Sequence, residues 1–177
     1  MTERLVGDWI PAYLDYTAGT EAPRLMHFWA GVSCIAACLR RKVWIDMKRF
    51  QWYPNFYIIF VAPPGIISKT TTMDMGMDLV KNVPGIKFGP DVVTWQALVT
   101  AFAGAQEDFQ LGEDFVPMSP VTLASGELGN LINPQDRDMV NLFIALWDGR
   151  KSFEKITKGS GSDTISAPWI NMIGCTT

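Results

Sequence analysis

The sequence predicts an α/β fold, because three strand candidates are interleaved with helical segments. Phe56 to Val61 is a continuous run of aromatic and β-branched residues, which is typical of a strand with both faces covered. Ser119 to Ala124 and Pro168 to Thr177 are the other two candidates. At 177 residues, the chain is long enough to bury a sizeable core.

A turn and a helix follow the first strand. Residues 63–65, Pro-Pro-Gly, supply the turn. Residues 69–82 then carry apolar side chains at helical spacing, namely Met73, Met77 and Val80. The order strand, turn, helix is the framework of a phosphate-binding loop.

In such a loop, backbone N–H groups and the positive end of the helix hold phosphates, a lysine bridges them, and the next hydroxyl ligates Mg²⁺. Lys69 and Thr70 fit the last two roles. We therefore expect ATP and Mg²⁺ as cofactors. The predicted nucleotide contacts are Pro64, Gly65, Ile66, Ile67, Ser68, Lys69, Thr70 and Thr71.

The loop departs from the pattern G-x-x-x-x-G-K-[ST] at both glycine places, which hold Pro63 and Ser68. A left-handed backbone would be strained or impossible at these residues. Gly65 is the residue able to absorb that strain. The alternative interpretation is a plain strand-to-helix turn with a lysine in the first helical turn, where the macrodipole mildly disfavours a positive charge.

An acidic residue, Glu127, follows the second strand candidate. Open α/β sheets bind ligands at the carboxyl ends of their strands, and many P-loop ATPases place there a carboxylate that polarises the attacking water. Gly126 occupies the place of the usual preceding Asp, so we expect Mg²⁺ to be held by Thr70 together with Ser125 or a water. The alternative is an exposed Glu that begins a helix over residues 128–133.

The third strand candidate ends in two hydroxyls, Thr176 and Thr177. Apolar residues that run into a polar strand end resemble the γ-phosphate sensor of additional-strand P-loop ATPases. Thr177 is therefore predicted to act in catalysis with Lys69 and Glu127, Thr176 being the other candidate for the sensor. The alternative is a strand end that is merely rich in threonine.

The run from Trp9 to Thr177 resembles phage and prophage P-loop proteins of unknown function that are related to helicases and primase-helicases. The resemblance is carried by WYPNFYIIFVAPPG, SKTT, DVVTWQAL, SGEL, LWDG and INMIGCTT. It implies an ATPase of the RecA-like or AAA+ type, with a mainly parallel sheet in the strand order 2-3-4-1 and helices on both faces. Such relatives continue into a fifth core strand and trans-acting arginines, so the chain is expected to be an N-terminal fragment, weak or inactive alone and homo-oligomeric when full length.

These observations predict a helical N-terminal segment over residues 1–50 and a P-loop ATPase core over residues 51–177, incomplete at its C-terminus. The expected function is ATP binding and hydrolysis in a helicase-like DNA motor of a phage or mobile element. Two alternatives are a nucleotide-binding switch with little turnover, and a structural or interaction domain with a degenerate loop.

Basic residues form two clusters, one over residues 40–49 and one over residues 150–158, which runs into the Gly/Ser segment 159–162. The second cluster is predicted to contact the phosphates of single-stranded DNA, because a flexible tip flanked by cations suits a strand gripped by its backbone. The predicted contacts are Arg150, Lys151, Lys155 and Lys158. The alternative is a solvated hairpin tip, and the net charge of −3 argues against a dedicated nucleic-acid module.

The composition is 48% apolar, an excess that a truncated sheet edge or an oligomer interface would explain. Met26 to Leu39 is apolar throughout but too short to span a bilayer, so it predicts a buried helix. The charged N-terminus, MTERLVGDW, lacks a signal peptide, and a cytoplasmic location without membrane contact is expected. Cys34 and Cys38 share a helix face with no further ligands nearby, which predicts buried thiols and not a zinc site.

The remaining segments give weaker signals. Residues 2–18 predict a first helix, and Thr94 is expected to cap a helix that runs to about Gln106. Residues 87–90 are a weak strand candidate, and residues 107–118 predict an acidic loop. Apolar residues at helical spacing predict a helix over 136–147.

Overall fold

A computed structural model describes residues 6–157 and 161–177, with the backbone alone at 155–157 and 161–163. The helices are α1 (Trp9–Tyr16), α2 (Arg24–Leu39), α3 (Lys69–Lys81), α4 (Trp95–Gly104), α5 (Leu128–Leu131) and α6 (Arg137–Trp147). The strands are β1 (Ile45–Asp46), β2 (Gln51–Trp52), β3 (Tyr57–Val61), β4 (Glu107–Leu111), β5 (Asp114–Ser125), β6 (Ser152–Thr157), β7 (Gly161–Ser166) and β8 (Pro168–Thr176).

The main sheet has the strand order β3-β8-β5-β4. Strand β8 pairs in parallel with β3 on one side and with β5 on the other, and β4 adds to β5 as an antiparallel neighbour. The α/β class and the parallel arrangement of the three predicted strands are therefore confirmed. Two small antiparallel hairpins, β1–β2 and β6–β7, lie outside this sheet.

The weak strand candidate at residues 87–90 is reduced to a single parallel bridge between Phe88 and Thr122. The Gly89 N–H donates to the Thr122 carbonyl, and the Thr122 N–H donates to the Lys87 carbonyl, both at 2.9 Å. This bridge lies on the side of β5 away from β8. The predicted strand order 2-3-4-1 corresponds here to the bridged residue Phe88, then β5, β8 and β3. The order therefore holds, but its strand 2 is reduced to one residue.

Helices cover both faces of the sheet. On one face, α2 and α3 pack over Ile58, Phe60 and Ile173. On the other, α4 and α6 pack over Leu123 and Met172. Strand β8 sends alternate side chains into the two cores, because successive residues of a strand point to opposite faces. It is buried along nearly its whole length.

The predicted helices over 69–82 and 136–147 are confirmed. Met73, Met77 and Val80 all face the core from α3. Helix α6 begins where Asp136 accepts hydrogen bonds from the backbone N–H groups of its first turn, both at 3.1 Å. Helix α4 begins at the predicted cap, since Thr94 Oγ1 accepts from Ala97 N at 3.3 Å.

The prediction of an acidic loop over 107–118 is wrong. This segment forms the β4–β5 hairpin, in which Phe109 lies opposite Val116 and Leu111 opposite Asp114. Gly112 opens the two-residue turn with a φ of 64°, a left-handed conformation that glycine adopts without strain. The acidic residues lie on a strand pair that extends away from the core, so their charge does not oppose strand formation.

The prediction that both faces of the first strand are covered is also wrong. Ile59 and Val61 are 46% and 66% exposed, because β3 lies at the edge of the sheet and only its other face is packed. Helix α2 was predicted to be buried, and it too is buried on one face only, leaving Leu25 and Trp29 exposed. Both exposed faces belong to one apolar surface along the β3 edge.

Of the first helix predicted over residues 2–18, residues 2–5 lie outside the described residues, residues 6–8 are not helical, and α1 runs from Trp9 to Tyr16. Residues of the predicted N-terminal segment share a core with the sheet, because the Asn171 side-chain amide in β8 donates to the carbonyl and hydroxyl oxygens of Ser33 in α2, at 3.1 and 3.0 Å. Among the described helices, none combines the length and apolar character needed to cross a bilayer.

Packing of α3 against the sheet predicts that shortening a buried side chain of this helix lowers the stability more than shortening an exposed one. Met77 is 1% exposed and Leu79 is 39% exposed. We expect Met77→Ala to lower the free energy of unfolding by about 2 to 5 kcal/mol, because it leaves a cavity in the core. Leu79→Ala is the matched control and should cost less than about 1 kcal/mol. Urea unfolding of the two variants measures the difference, and equal losses would contradict the packing of α3.

Candidate phosphate-binding site

The carboxyl ends of three parallel strands meet at one edge of the sheet. Val61 at the end of β3 pairs with Thr176 at the end of β8, and Ser125 at the end of β5 pairs with Gly174. The three segments singled out in the sequence therefore lie side by side. This edge is where open α/β sheets bind their ligands.

The loop after β3 begins by extending the pairing between β3 and β8. Ala62 N donates to the Thr176 carbonyl at 3.4 Å, which continues the pairing for one more residue. Gly65 then has a φ of 71°, whereas Ser68 has a φ of −79°. Gly65 thus adopts the left-handed conformation, as expected, and the residues in the two glycine places avoid it.

Several backbone donors in this loop are free. None of the N–H groups of residues 65–68 makes a hydrogen bond of normal length and angle with a protein acceptor in the described part of the chain. They precede the amino end of α3, where the dipole is positive; there Lys69 N donates to the Ile67 carbonyl at 2.9 Å, while no partner within the described residues bonds Thr70 N or Thr71 N. A run of such donors is a favourable place for an anion.

Lys69 lies against this loop as its first helical residue. Its side chain is nearly buried, and its ammonium donates to the carbonyl of Ala62 at the end of β3. The first turn of α3 is further held by Thr72, whose hydroxyl donates to the Ser68 carbonyl at 2.9 Å. The charge of Lys69 is therefore held beside the free donors of the loop.

Thr70 is in contact with the segment that follows β5. A Cβ placed on Gly126 would lie 3.2 Å from the Thr70 methyl group, so the absence of a side chain allows the two segments to approach. Ser125, the other predicted Mg²⁺ ligand, is buried, and its hydroxyl donates to the Glu127 carbonyl at 2.8 Å. Both hydroxyl oxygens keep lone pairs, and oxygen ligands are those that Mg²⁺ prefers.

Glu127 is exposed at the same edge. It occupies the position before α5, yet its side chain makes no capping hydrogen bond. The helix that it precedes has only four residues, Leu128–Leu131. The carboxylate is consequently free to act on a ligand in front of the loop. No group of three or more His, Cys, Asp or Glu residues suited to a metal occurs within 6–157 and 161–177, so an ion here would depend on hydroxyls, phosphates and water.

Cys175 belongs to this cluster, which the sequence did not reveal. It lies next to the strand end, beside Thr70. Burial raises the pKa of the Cys175 thiol, and the negative charges of Asp74 and Glu127 raise it further, whereas the Thr70 side chain and the Lys69 charge lower it. Asp74 was missed too, although it follows Thr70 by one helical turn, a spacing visible in the sequence.

Of the two threonines at the chain end, Thr176 is paired in β8 and partly buried, while Thr177 follows the strand and is exposed. Both lie at the edge that carries the loop. The structure brings Lys69, Thr70 and Ser125 together with this strand end.

The prediction of buried thiols is right for Cys34 and wrong for Cys38. Cys34 is buried and its pKa is raised to about 12 by burial, whereas Cys38 is exposed near the end of α2. His27, also in α2, is buried, and its side chain hydrogen-bonds with Thr20.

Of the predicted DNA contacts, Arg150 and Lys151 lie at the opposite end of the sheet, where β8 begins. Arg150 is exposed and pairs with Asp148 at 3.3 Å. Lys151 is exposed as well, and its carbonyl accepts from Ala167 N at 2.7 Å, just before β8 begins. Lys155 lies in β6 with its side chain undescribed, and Lys158 lies outside the described residues. The structure confirms a β6–β7 hairpin.

A scan against protein-family models gives no match for this chain, and a search of the curated proteins gives none either. The functional argument therefore depends on the geometry at the carboxyl edge of the sheet.

The charges around Cys175 predict opposite effects of two substitutions on its pKa. Lys69→Met should raise the pKa of the thiol, because the removed positive charge favours the thiolate. Glu127→Gln should lower it, because the removed negative charge disfavours the thiolate. The Cβ chemical shift of labelled cysteine, followed against pH, measures both. Lys81→Met, at the far end of α3, is the control, and an unchanged Cys175 pKa in all three variants would contradict this cluster.

Proposed function

We propose that this chain is an ATP-binding and ATP-hydrolysing domain of the P-loop type, serving a helicase-like DNA motor of a phage or mobile element. The observation that supports the proposal best is the meeting of three segments at one sheet edge. Free backbone donors and Lys69 follow β3, Ser125 and Glu127 end β5, and Thr176 ends β8.

In this proposal the phosphates occupy the loop from Pro64 to Thr71, facing the donors of residues 65–68. The Lys69 ammonium exchanges the Ala62 carbonyl for a phosphate oxygen, which is the stronger acceptor because it is charged. Thr70 and Ser125 supply oxygen to Mg²⁺, which neutralises charge on the phosphates when bound.

Hydrolysis in this proposal uses Glu127 as the general base that accepts a proton from the attacking water. Thr177, or its neighbour Thr176, hydrogen-bonds to the terminal phosphate. Both roles suit these residues, because they lie at the same end of the sheet and carry side-chain oxygens. The exposed apolar surface along β3 supports a further proposal, that the protein is a homo-oligomer, because exposed sheet edges are sites of strand addition.

A nucleotide-binding switch with little turnover is the second candidate. One observation favours it: Gly126 packs on Thr70 where an acidic Mg²⁺ ligand usually stands, so the ion would be held by neutral oxygens. The two candidate functions share a nucleotide site and differ in whether Glu127 affects the rate of ATP hydrolysis.

The DNA contacts proposed for the motor are Arg150, Lys151, Lys155 and Lys158.

Nucleotide binding is expected to require Lys69. Lys69→Ala removes the ammonium beside the loop, and we expect it to abolish the heat of Mg-ATP or Mg-ADP binding in isothermal titration calorimetry. Lys81→Ala removes a lysine from the last turn of the same helix and should bind as the wild type does. If the folded wild-type chain gives no heat with any nucleotide up to millimolar concentration, the phosphate-binding role is refuted.

Turnover is expected to require Glu127. Glu127→Gln keeps the shape of the side chain but removes the base, so we expect unchanged ATP affinity and a hydrolysis rate lower by about 10² to 10⁴. Release of labelled phosphate over long incubation measures this rate even when it is slow. Glu113→Gln, in the β4–β5 turn, is the matched control. Equal rates in Glu127→Gln and wild type would favour the switch, with Asp74 as the next carboxylate to test.

A further inference from the structure

A second surface lies at the end of the sheet where the parallel strands begin, away from the phosphate-binding loop. The β1–β2 hairpin, the chain leading into β3 and the end of α6 enclose an open groove of about 920 Å³. We call this the aromatic groove. The residues that the argument uses are Trp44, Phe50, Trp52, Tyr53 and Trp147.

The rings of the aromatic groove are accessible. Phe50, Trp52 and Trp147 are each at least half exposed, and the rings of Phe50 and Trp52 lie 5.6 Å apart. Phe50 and Trp52 are two residues apart around β2, so they point to the same side of the hairpin. Large contiguous apolar surfaces of this kind mark interaction sites.

The β1–β2 hairpin and the residues just before it carry a net positive charge, although Asp148 also lines the groove. Residues 40–53 contain five basic residues and one acidic residue, a local charge of +4 in a chain whose net charge is −3. Arg40 is paired with Glu107, but Lys42, Lys48 and Arg49 are exposed and form no ion pair within the described residues. Free cations next to exposed rings point to a ligand that has both negative charge and flat apolar faces.

The groove offers few free polar groups for reading a sequence. The Asn55 side chain donates to the Trp147 carbonyl at 2.9 Å, and the Tyr53 hydroxyl donates to Gln51 at 2.7 Å. Stacking on rings tolerates any base, since every base has a π-face. A ligand held here would therefore be bound with little sequence preference.

We propose that the aromatic groove binds single-stranded nucleic acid, with bases stacked on Phe50 and Trp52 and phosphates facing Lys48 and Arg49. A duplex does not fit this chemistry, because its base faces are covered by neighbouring bases. A protein partner would use the exposed rings but would leave the free cations unexplained. At the end near Gly149 the groove is also lined by Asp148, whose carboxylate pairs with Arg150 at 3.3 Å, so the unpaired positive charge lies at the hairpin end.

The proposal is independent of the nucleotide site. Strand β8 has nine residues, so its two ends lie about 25 Å apart at about 3.3 Å per residue. The aromatic groove is near the first end, where Arg41 donates to the Pro168 carbonyl, and the phosphate-binding loop is at the other. A nucleotide in the loop does not reach the groove.

Fluorescence anisotropy of labelled oligo(dT) and oligo(rU) of about 12 nucleotides tests the proposal at low salt, on the folded chain without ATP. We expect Phe50→Ala and Trp52→Leu each to weaken binding about 5- to 150-fold, because each removes a stacking ring. Trp52→Phe keeps a ring and should retain most of the affinity. Phe115→Ala, which removes an even more exposed phenylalanine on the β4–β5 hairpin, should have no effect.

The cations are tested by salt dependence. Lys48→Ala and Arg49→Ala should each flatten the slope of log affinity against log salt by about 0.7, while Lys81→Ala should leave it unchanged. Unfolding midpoints establish that each variant is folded. Lys69→Ala should keep oligonucleotide binding, and Trp52→Leu should keep ATP binding, so failure of one site is distinguishable from failure of the other.

Two results would overturn the proposal. One is absence of oligonucleotide binding by the wild-type chain at low salt. The other is binding that Phe50→Ala and Trp52→Leu leave intact, which would assign the nucleic acid to the β6–β7 hairpin. Self-association that is lost in Trp52→Leu, without any oligonucleotide binding, would identify the groove as an interface between copies of this chain.

Discussion

The parallel pairing of β8 with both β3 and β5 determines where every candidate functional residue lies. This single strand aligns Thr176 with Val61 and Gly174 with Ser125, so the loop after β3 and the turn after β5 open at one edge. Because side chains alternate along a strand, a slip of one residue would move Cys175 from one core to the other. The site therefore requires this register.

Buried polar contacts stabilise β8 in that register at two points. In its middle, Asn171 donates to Ser33 of α2. At its amino end, the Arg41 guanidinium donates to the carbonyls of Pro168 and Gly149, both at 2.9 Å, and lies 4.0 Å over the Tyr53 ring. Burial lowers the pKa of Arg41, and Tyr53 partly opposes this. Loss of both carbonyl contacts would leave a buried charge without a hydrogen-bond partner, which is costly.

Local patterns predicted the elements that bear the site, and long-range pairing determined the rest. The spacing of Met73, Met77 and Val80 is enough to locate α3, since helical periodicity is a property of neighbouring residues. It does not show that β3 lies at a sheet edge, because edge position depends on segments far away in the chain. The approach of Cys175 to Thr70 likewise depends on the β3–β8 register, which joins residues more than 100 positions apart.

The β4–β5 hairpin was missed for a different reason. Residues 107–118 carry several acidic side chains, which favoured a loop, but Phe109 and Val116 lie opposite each other and Gly112 fits a tight turn. Strand pairing outside the core needs only such cross-strand contacts and a suitable turn, and charge on exposed positions does not prevent it.

The two candidate sites lie at opposite ends of a sheet whose central strand is buried on both faces. A close-packed strand of this kind moves as a unit and does not absorb displacement. A ligand at one end affects the other only if a connecting element has two arrangements that the ligand distinguishes. The Lys69 side chain has two such arrangements. Its ammonium is bonded to the Ala62 carbonyl at the end of β3, and a phosphate competes for that ammonium. One route for an influence of the nucleotide on the aromatic groove is then β3, which leads from the groove directly to Ala62.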